Sequence, residues 1–225
     1  MKRLLMLCVA TLMAAYASAQ EEMPTINWPY LYPDFIEGEI LQLGGKTAKA
    51  SYNIHLGRGA LHVVENGLIG EISTQGVLQV SIGNDVFRNV GGKILKVLAE
   101  AGEGLVVHET LADYSAVVRD DGAYGGSLSN AAKGFSYDEN YGNYGYLVTH
   151  NYEDLLSIKN ESEELAVTKN TYLVVDNQLI QANKKSVLSL DGVDKKAFSE
   201  FLKSNGIKWK EVDDLVKIVE YITLK

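Results

Sequence analysis

The sequence predicts an α+β fold: a predominantly antiparallel β meander, forming a sandwich or a partly closed barrel, followed by a C-terminal helical hairpin. Three observations carry that expectation. Apolar and polar residues alternate from about residue 35 to residue 114, which is the period of a half-buried strand. Glycine and asparagine turns punctuate this stretch about every ten residues, the spacing of sandwiches and barrels. After residue 194 the apolar spacing changes to three and four, the period of a helix.

The first predicted strand covers residues 35–43 and stops at Gly44 and Gly45. Ala48, Ala50, Tyr52, Ile54 and Leu56 alternate with polar residues and form the second. With Arg58 and Gly59 as a two-residue loop, Leu56 faces Leu61 and Ile54 faces Val63 on the buried side, and His55 faces His62 on the other. Asn66 and Gly67 mark the next hairpin. Strands at 68–72, 77–82, 85–87, 93–99 and 105–114 follow. Residues 120–146 break the pattern with a glycine- and tyrosine-rich loop, a length that points to function or disorder. Residues 152–158 read as a short helix or strand, and 171–175 with 179–182 as a hairpin across Asp176 and Asn177. Asp194 is the expected N-cap of a helix carrying Phe198, Phe201 and Leu202 on one face, stopped by Asn205 and Gly206. Val212, Leu215, Val216, Val219 and Ile222 make a second stripe, with Asp213 and Asp214 at its positive end.

The N-terminus reads as a secretory leader. Lys2 and Arg3 precede an apolar run to Ala15, and Ala17, Ser18 and Ala19 form a small-residue cleavage site. Cleavage after residue 19 leaves 206 residues beginning at Gln20 and removes Cys8, the single cysteine. The mature chain then has no disulfide and no thiolate chemistry. The apolar run is too short to span a bilayer comfortably, and no second one follows, so the mature chain is expected to be soluble in the periplasm or outside the cell. Loss of Lys2 and Arg3 takes the net charge from −8 to −10, which argues against nucleic acid and anionic lipid as partners. The charge is uneven: residues 20–183 carry a net −12 and residues 184–225 a net +2. The expected organisation is a leader at 1–19, an extended aromatic arm at 20–34, a β domain at 35–182 and a helical hairpin at 183–225.

The order of motifs carries a resemblance. Tyr52 and Asn53 lead to Gly59, Ala60, Leu61 and His62. Next come Val80, Ser81, Ile82, Gly83, Asn84, Asp85, Val86 and Phe87, then Gly122, Ala123, Tyr124 and Gly125. Lys184 and Lys185 precede the helical hairpin. This order resembles a family of exported, largely uncharacterised β-rich proteins of Bacteroidetes bacteria. The shared motifs are turn and core patterns, so the resemblance implies a fold and an exported location and carries over no catalytic residue. It also implies that Gln20, once exposed, cyclises to pyroglutamate.

No catalytic set stands out. Gly125, Gly126, Ser127, Leu128 and Ser129 lack the last glycine of a nucleophile elbow. The Gly122 to Ser127 stretch lacks the lysine of a phosphate loop. His55 and His62 are the best metal candidates, needing His108 or a carboxylate to join them; the alternative is a pair of solvent-facing strand histidines. His150 has no visible partner. Asp120 and Asp121, and Asp138 with Glu139, do not match the spacing of a calcium loop. No metal, cofactor or catalytic residue is therefore expected. The candidate partner-binding residues are Trp28, Tyr30 and Tyr32 in the arm and Tyr124, Tyr137, Tyr141, Tyr144 and Tyr146 in the loop, because tyrosine offers broad amphipathic contact at low entropy cost. The arm alternatively packs on its own domain. The C-terminal lysines read as a solvated helix face or a docking surface for an acidic partner. The expected function is a non-catalytic exported binding or accessory protein of the bacterial envelope, such as a soluble subunit or plug of an outer-membrane complex. The rivals are a secreted hydrolase acting on envelope or dietary polymers and a structural surface component.

Overall fold

The computed structural model describes residues 25–26, 28–113, 150–157 and 164–223. The expected leader at 1–19 and the tyrosine- and glycine-rich stretch at 120–146 lie outside the described residues. The strands are β1 (Thr25–Ile26), β2 (Ile36–Gln42), β3 (Thr47–His55), β4 (Ala60–Glu65), β5 (Leu68–Glu71), β6 (Val77–Ile82), β7 (Asp85–Val90) and β8 (Lys93–Ala101). They continue with β9 (Gly104–Ala112), β10 (His150–Asn151), β11 (Leu165–Val175) and β12 (Gln178–Gln181). The helices are α1 (Tyr152–Ser157), α2 (Lys184–Leu188), α3 (Lys195–Ser204) and α4 (Val212–Thr223). The fold is α+β and β-rich, as the alternation predicts.

All strand pairs are antiparallel and belong to one open sheet, in the order β1-β11-β9-β8-β7-β6-β2-β3-β4-β5-β10 with β12 beside β11. It is not a single meander. Two four-strand meanders, β2–β5 and β6–β9, are joined where β6 returns to pair with β2. Beyond β9, the eleven-residue β11 carries β1 and β12 on its far edge. The turn chemistry explains the hairpins: Asn66 and Gly67 have φ of 52° and 75°, and Asp176 and Asn177 have 51° and 59°, the left-handed pairs of a tight type I′ connection.

The β3–β4 register departs from the two-residue loop. Ile54 pairs with Leu61, Asn53 with His62 and His55 with Ala60, so the connection spans residues 56–59. The slip is two residues, so every side chain keeps its face. Tyr52, Ile54, Leu61 and Val63 join Ile40, Val80, Ile82, Phe87 and Ile94 in one buried cluster. The sheet coils around this cluster. Ala112 N donates to Leu56 O at 2.9 Å, fastening the β3–β4 turn to the end of β9.

The C-terminal helices cover the other end of the sheet. Asp194 accepts from Lys196 N and Ala197 N, both at 2.8 Å, and caps α3. Asn183 caps the short α2 through Ser186 N at 2.9 Å, a helix the charge shift near residue 183 does not reveal. Phe198, Leu215, Ile218 and Val219 bury their side chains against Val106, Leu173 and Val175. Gly104 sets the approach of α4. A Cβ there would collide with Val219 Cγ1 and lie 2.8 Å from the Val174 carbonyl. Gly104→Ala is therefore expected to lower stability by about 1–3 kcal/mol, the usual cost of overpacking a filled site, measured by urea denaturation. An unchanged midpoint would show that α4 does not seat on that strand.

Candidate functional site

The arm is the first sequence-predicted feature to place. Its backbone runs beside β3, with Leu31 N donating to Ile54 O at 2.9 Å and Leu56 N to Pro29 O at 2.8 Å. The β2–β3 ladder starts only at Ile36 opposite Tyr52, so the chain leaves the ladder around Pro33, which has no N–H to give. Asn53 fills that gap. Its Nδ2 donates to the carbonyls of Tyr32 and Asp34, both at 2.9 Å, and its Oδ1 accepts from Tyr32 N at 3.1 Å and Ile54 N at 2.9 Å. Trp28 Nε1 also donates to Tyr32 O at 2.9 Å.

Fixed in this way, the arm packs on its own domain. Trp28 and Tyr30 are buried with Ile69 and Leu155 of α1, and Phe35 and Tyr152 pack against them. Two of the three arm aromatics proposed for a partner are thus interior, while Tyr32 is half-buried. Beneath Tyr30 lie the two histidines. They are buried, each with 9% exposure, so the solvent-facing alternative is corrected: the arm covers that face of β3 and β4. Their rings stack at 5.1 Å with an 18° interplanar angle, and His55 Nδ1 accepts from Gly57 N at 3.3 Å. The Tyr30 hydroxyl and His62 Nδ1 share a hydrogen bond of 2.9 Å. His62 Nε2 lies 3.7 Å from Glu71 Oε2, and Arg58 reaches the same carboxylate at 3.5 Å. Burial pushes the Tyr30 hydroxyl well above the ordinary tyrosine range, so it stays protonated.

His108 stands apart from this pair, in a cluster the sequence did not reveal. Lys96 and His108 are directly opposite on β8 and β9. Lys96 Nζ donates to Asp85 Oδ2 at 2.5 Å and the Tyr32 hydroxyl donates to the same oxygen at 2.6 Å. Burial pushes the Asp85 carboxyl up, but these two bonds and the charges of Lys96 and His108 outweigh it and hold it below its ordinary value. His108 is pulled down by burial first, then by Lys96 and Lys169, with Asp85 opposing. Nearby, the buried Glu109 accepts from Lys93 Nζ at 3.0 and 3.1 Å and from the Tyr172 hydroxyl at 3.4 Å. The cavity touching Lys96, His108 and Glu109 measures about 10 Å³, roughly the size of one water. Among the described residues no three His, Cys, Asp or Glu side chains gather as a metal-binding group.

No protein-family model, no curated protein and no solved structure matches this chain. Tyr124, Tyr137, Tyr141, Tyr144 and Tyr146, the acidic pairs at 120–121 and 138–139, and Ser127 lie outside the described residues.

The Asp85–His108 cluster makes stability depend on pH. A depressed carboxylate stabilises the fold above its unfolded value, and that contribution is lost as pH falls through its folded value. A depressed histidine costs stability as pH drops below its ordinary 6.5, because the unfolded chain takes up the proton first. Both effects destabilise on acidification, from about pH 6.5 into the carboxylate range. Lys96→Met removes the cation beside His108, so the His108 midpoint followed by NMR is expected to rise toward 6.5. An unmoved midpoint would show that Lys96 does not act on it.

Proposed function

We propose that this chain is an exported, non-catalytic binding protein of the bacterial envelope that serves as a soluble accessory subunit of an outer-membrane complex. The observation that carries this reading is what the reactive side chains are doing. His55 and His62 are stacked under Tyr30, Asp85 is held by Lys96 and Tyr32, and Glu109 is held by Lys93 and Tyr172. The space beside the second cluster is about 10 Å³, far below the few hundred Å³ of a ligand pocket. These groups hold strands together and leave no room for a polymer substrate, which weighs against the hydrolase. The structural-component reading needs a long open strand edge. The edges of β5 and β11 are instead interrupted: β10 pairs with Leu68 and Ile69, β1 with Leu165 and Ala166, and β12 with Tyr172–Val175.

Export is supported by the basic, apolar and small-residue sequence of residues 1–19. No helix among the described residues is long and apolar enough to cross a membrane. With the arm built into the domain, the tyrosines of residues 120–146 become the leading contact candidates on composition. The test is purification of the tagged protein from its native envelope in mild detergent. Stable co-purification with an outer-membrane complex is expected, and recovery solely as a free monomer would contradict the proposal.

A further inference from the structure

Lys184, Lys185, Leu188 and Ser189 around α2, with Lys195 at the start of α3, line an open groove of about 540 Å³. It is a shallow, open depression rather than an enclosed pocket. Lys184 and Lys195 open their helices, next to the positive ends, and neither first turn contains an acidic residue, whereas Lys185 lies in the last turn of the five-residue α2. All three side chains are exposed. No carboxylate pairs with any of the three ammonium groups among the described residues. The segment that carries the groove is net positive, on a chain whose preceding 164 residues from Gln20 are net −12.

We propose that this groove docks an acidic polypeptide segment, with an apolar residue seated on Leu188. The proposal rests on the contact role above and names its partner's chemistry. A small phosphate would need the backbone N–H groups at the helix starts. Those of Ser186, Lys196 and Ala197 are already taken by Asn183 and Asp194. What remains is positive charge spread along a concave surface, which suits a segment with several carboxylates. An anionic bilayer fits poorly. The large exposed apolar side chains, Leu43, Leu68, Leu78 and Leu156, all lie elsewhere, so nothing at the groove inserts into lipid, and the acidic body is repelled. Nucleic acid is disfavoured by the same body charge and by a lining without aromatics for stacking.

The test is a fluorescence-anisotropy titration of the purified protein with a labelled peptide of Glu and Asp residues around one Leu. Its Gln and Asn counterpart is the control. The acidic peptide is expected to bind more tightly than the control and to weaken as salt rises. The K184E/K185E/K195E protein should lose about tenfold or more in affinity. The three lysines are exposed and enter no ion pair among the described residues, so the variant's circular dichroism and melting should match the parent. Equal affinity for acidic and control peptides, or an unchanged affinity in the variant, would overturn the proposal. So would displacement of the peptide by equimolar pyrophosphate, or lysine-dependent binding to phosphatidylglycerol vesicles with no peptide binding. Retention of an envelope complex by the charge-reversed protein would overturn the groove's role and leave the accessory function standing.

Discussion

One buried amide ties the N-terminal arm to the sheet. Asn53 is fully buried, and its side chain makes four hydrogen bonds where the ladder between the arm and β3 is interrupted. Left unmade, buried bonds of this kind cost about 1–3 kcal/mol each. Asparagine fits because it offers donors to two carbonyls and an acceptor to two N–H groups from one planar head. A carboxylate would set oxygens against the carbonyls of Tyr32 and Asp34, and an alkyl group would leave all four positions unfilled. From this anchor the arm is directed both ways. Tyr30 is laid over the histidines with Trp28 against it, and Tyr32 is carried to Asp85 on β7.

The consequence for function is a division of labour. Titratable side chains act as internal fasteners: His62, singled out in the sequence, lies beneath a tyrosine, and Asp85, which was not, lies between a lysine and a tyrosine. The pKa shifts of Tyr30, Asp85 and His108 follow from burial and from neighbours within the fold rather than from an open cleft. Recognition then falls to surfaces that the fold does not need. The lysine-lined groove around α2 is one, since its exposed ammonium groups enter no ion pair among the described residues.

Much of the architecture was legible because local signals agree with the tertiary result. Asn66 with Gly67 and Asp176 with Asn177 specify their turns, and Asp194 specifies the start of α3. The order of the sheet was not legible, because the pairing of β6 with β2 is a long-range choice with no local signature. The Lys96–His108 pair was hidden by one irregularity. Counting back from Ala101 opposite Gly104 puts Lys96 opposite Glu109, but a bulge between Val97 and Ala99 shifts the ladder and puts Lys96 opposite His108. The role of the arm was open for a related reason. Aromatics beside prolines suit a docking peptide as well as a packed strand, and the deciding residue, Asn53, lies about twenty positions away.

The central claim is that the arm belongs to the folded sheet. Native-state amide exchange reads this directly at Leu31, Tyr32 and Leu56, whose N–H groups form the arm's bonds to β3. The account predicts that these three amides open with the same free energy as the core strands β8 and β9. Exchange at the rate of an unstructured peptide, with the core still protected, would contradict it and return Trp28 and Tyr30 to the surface.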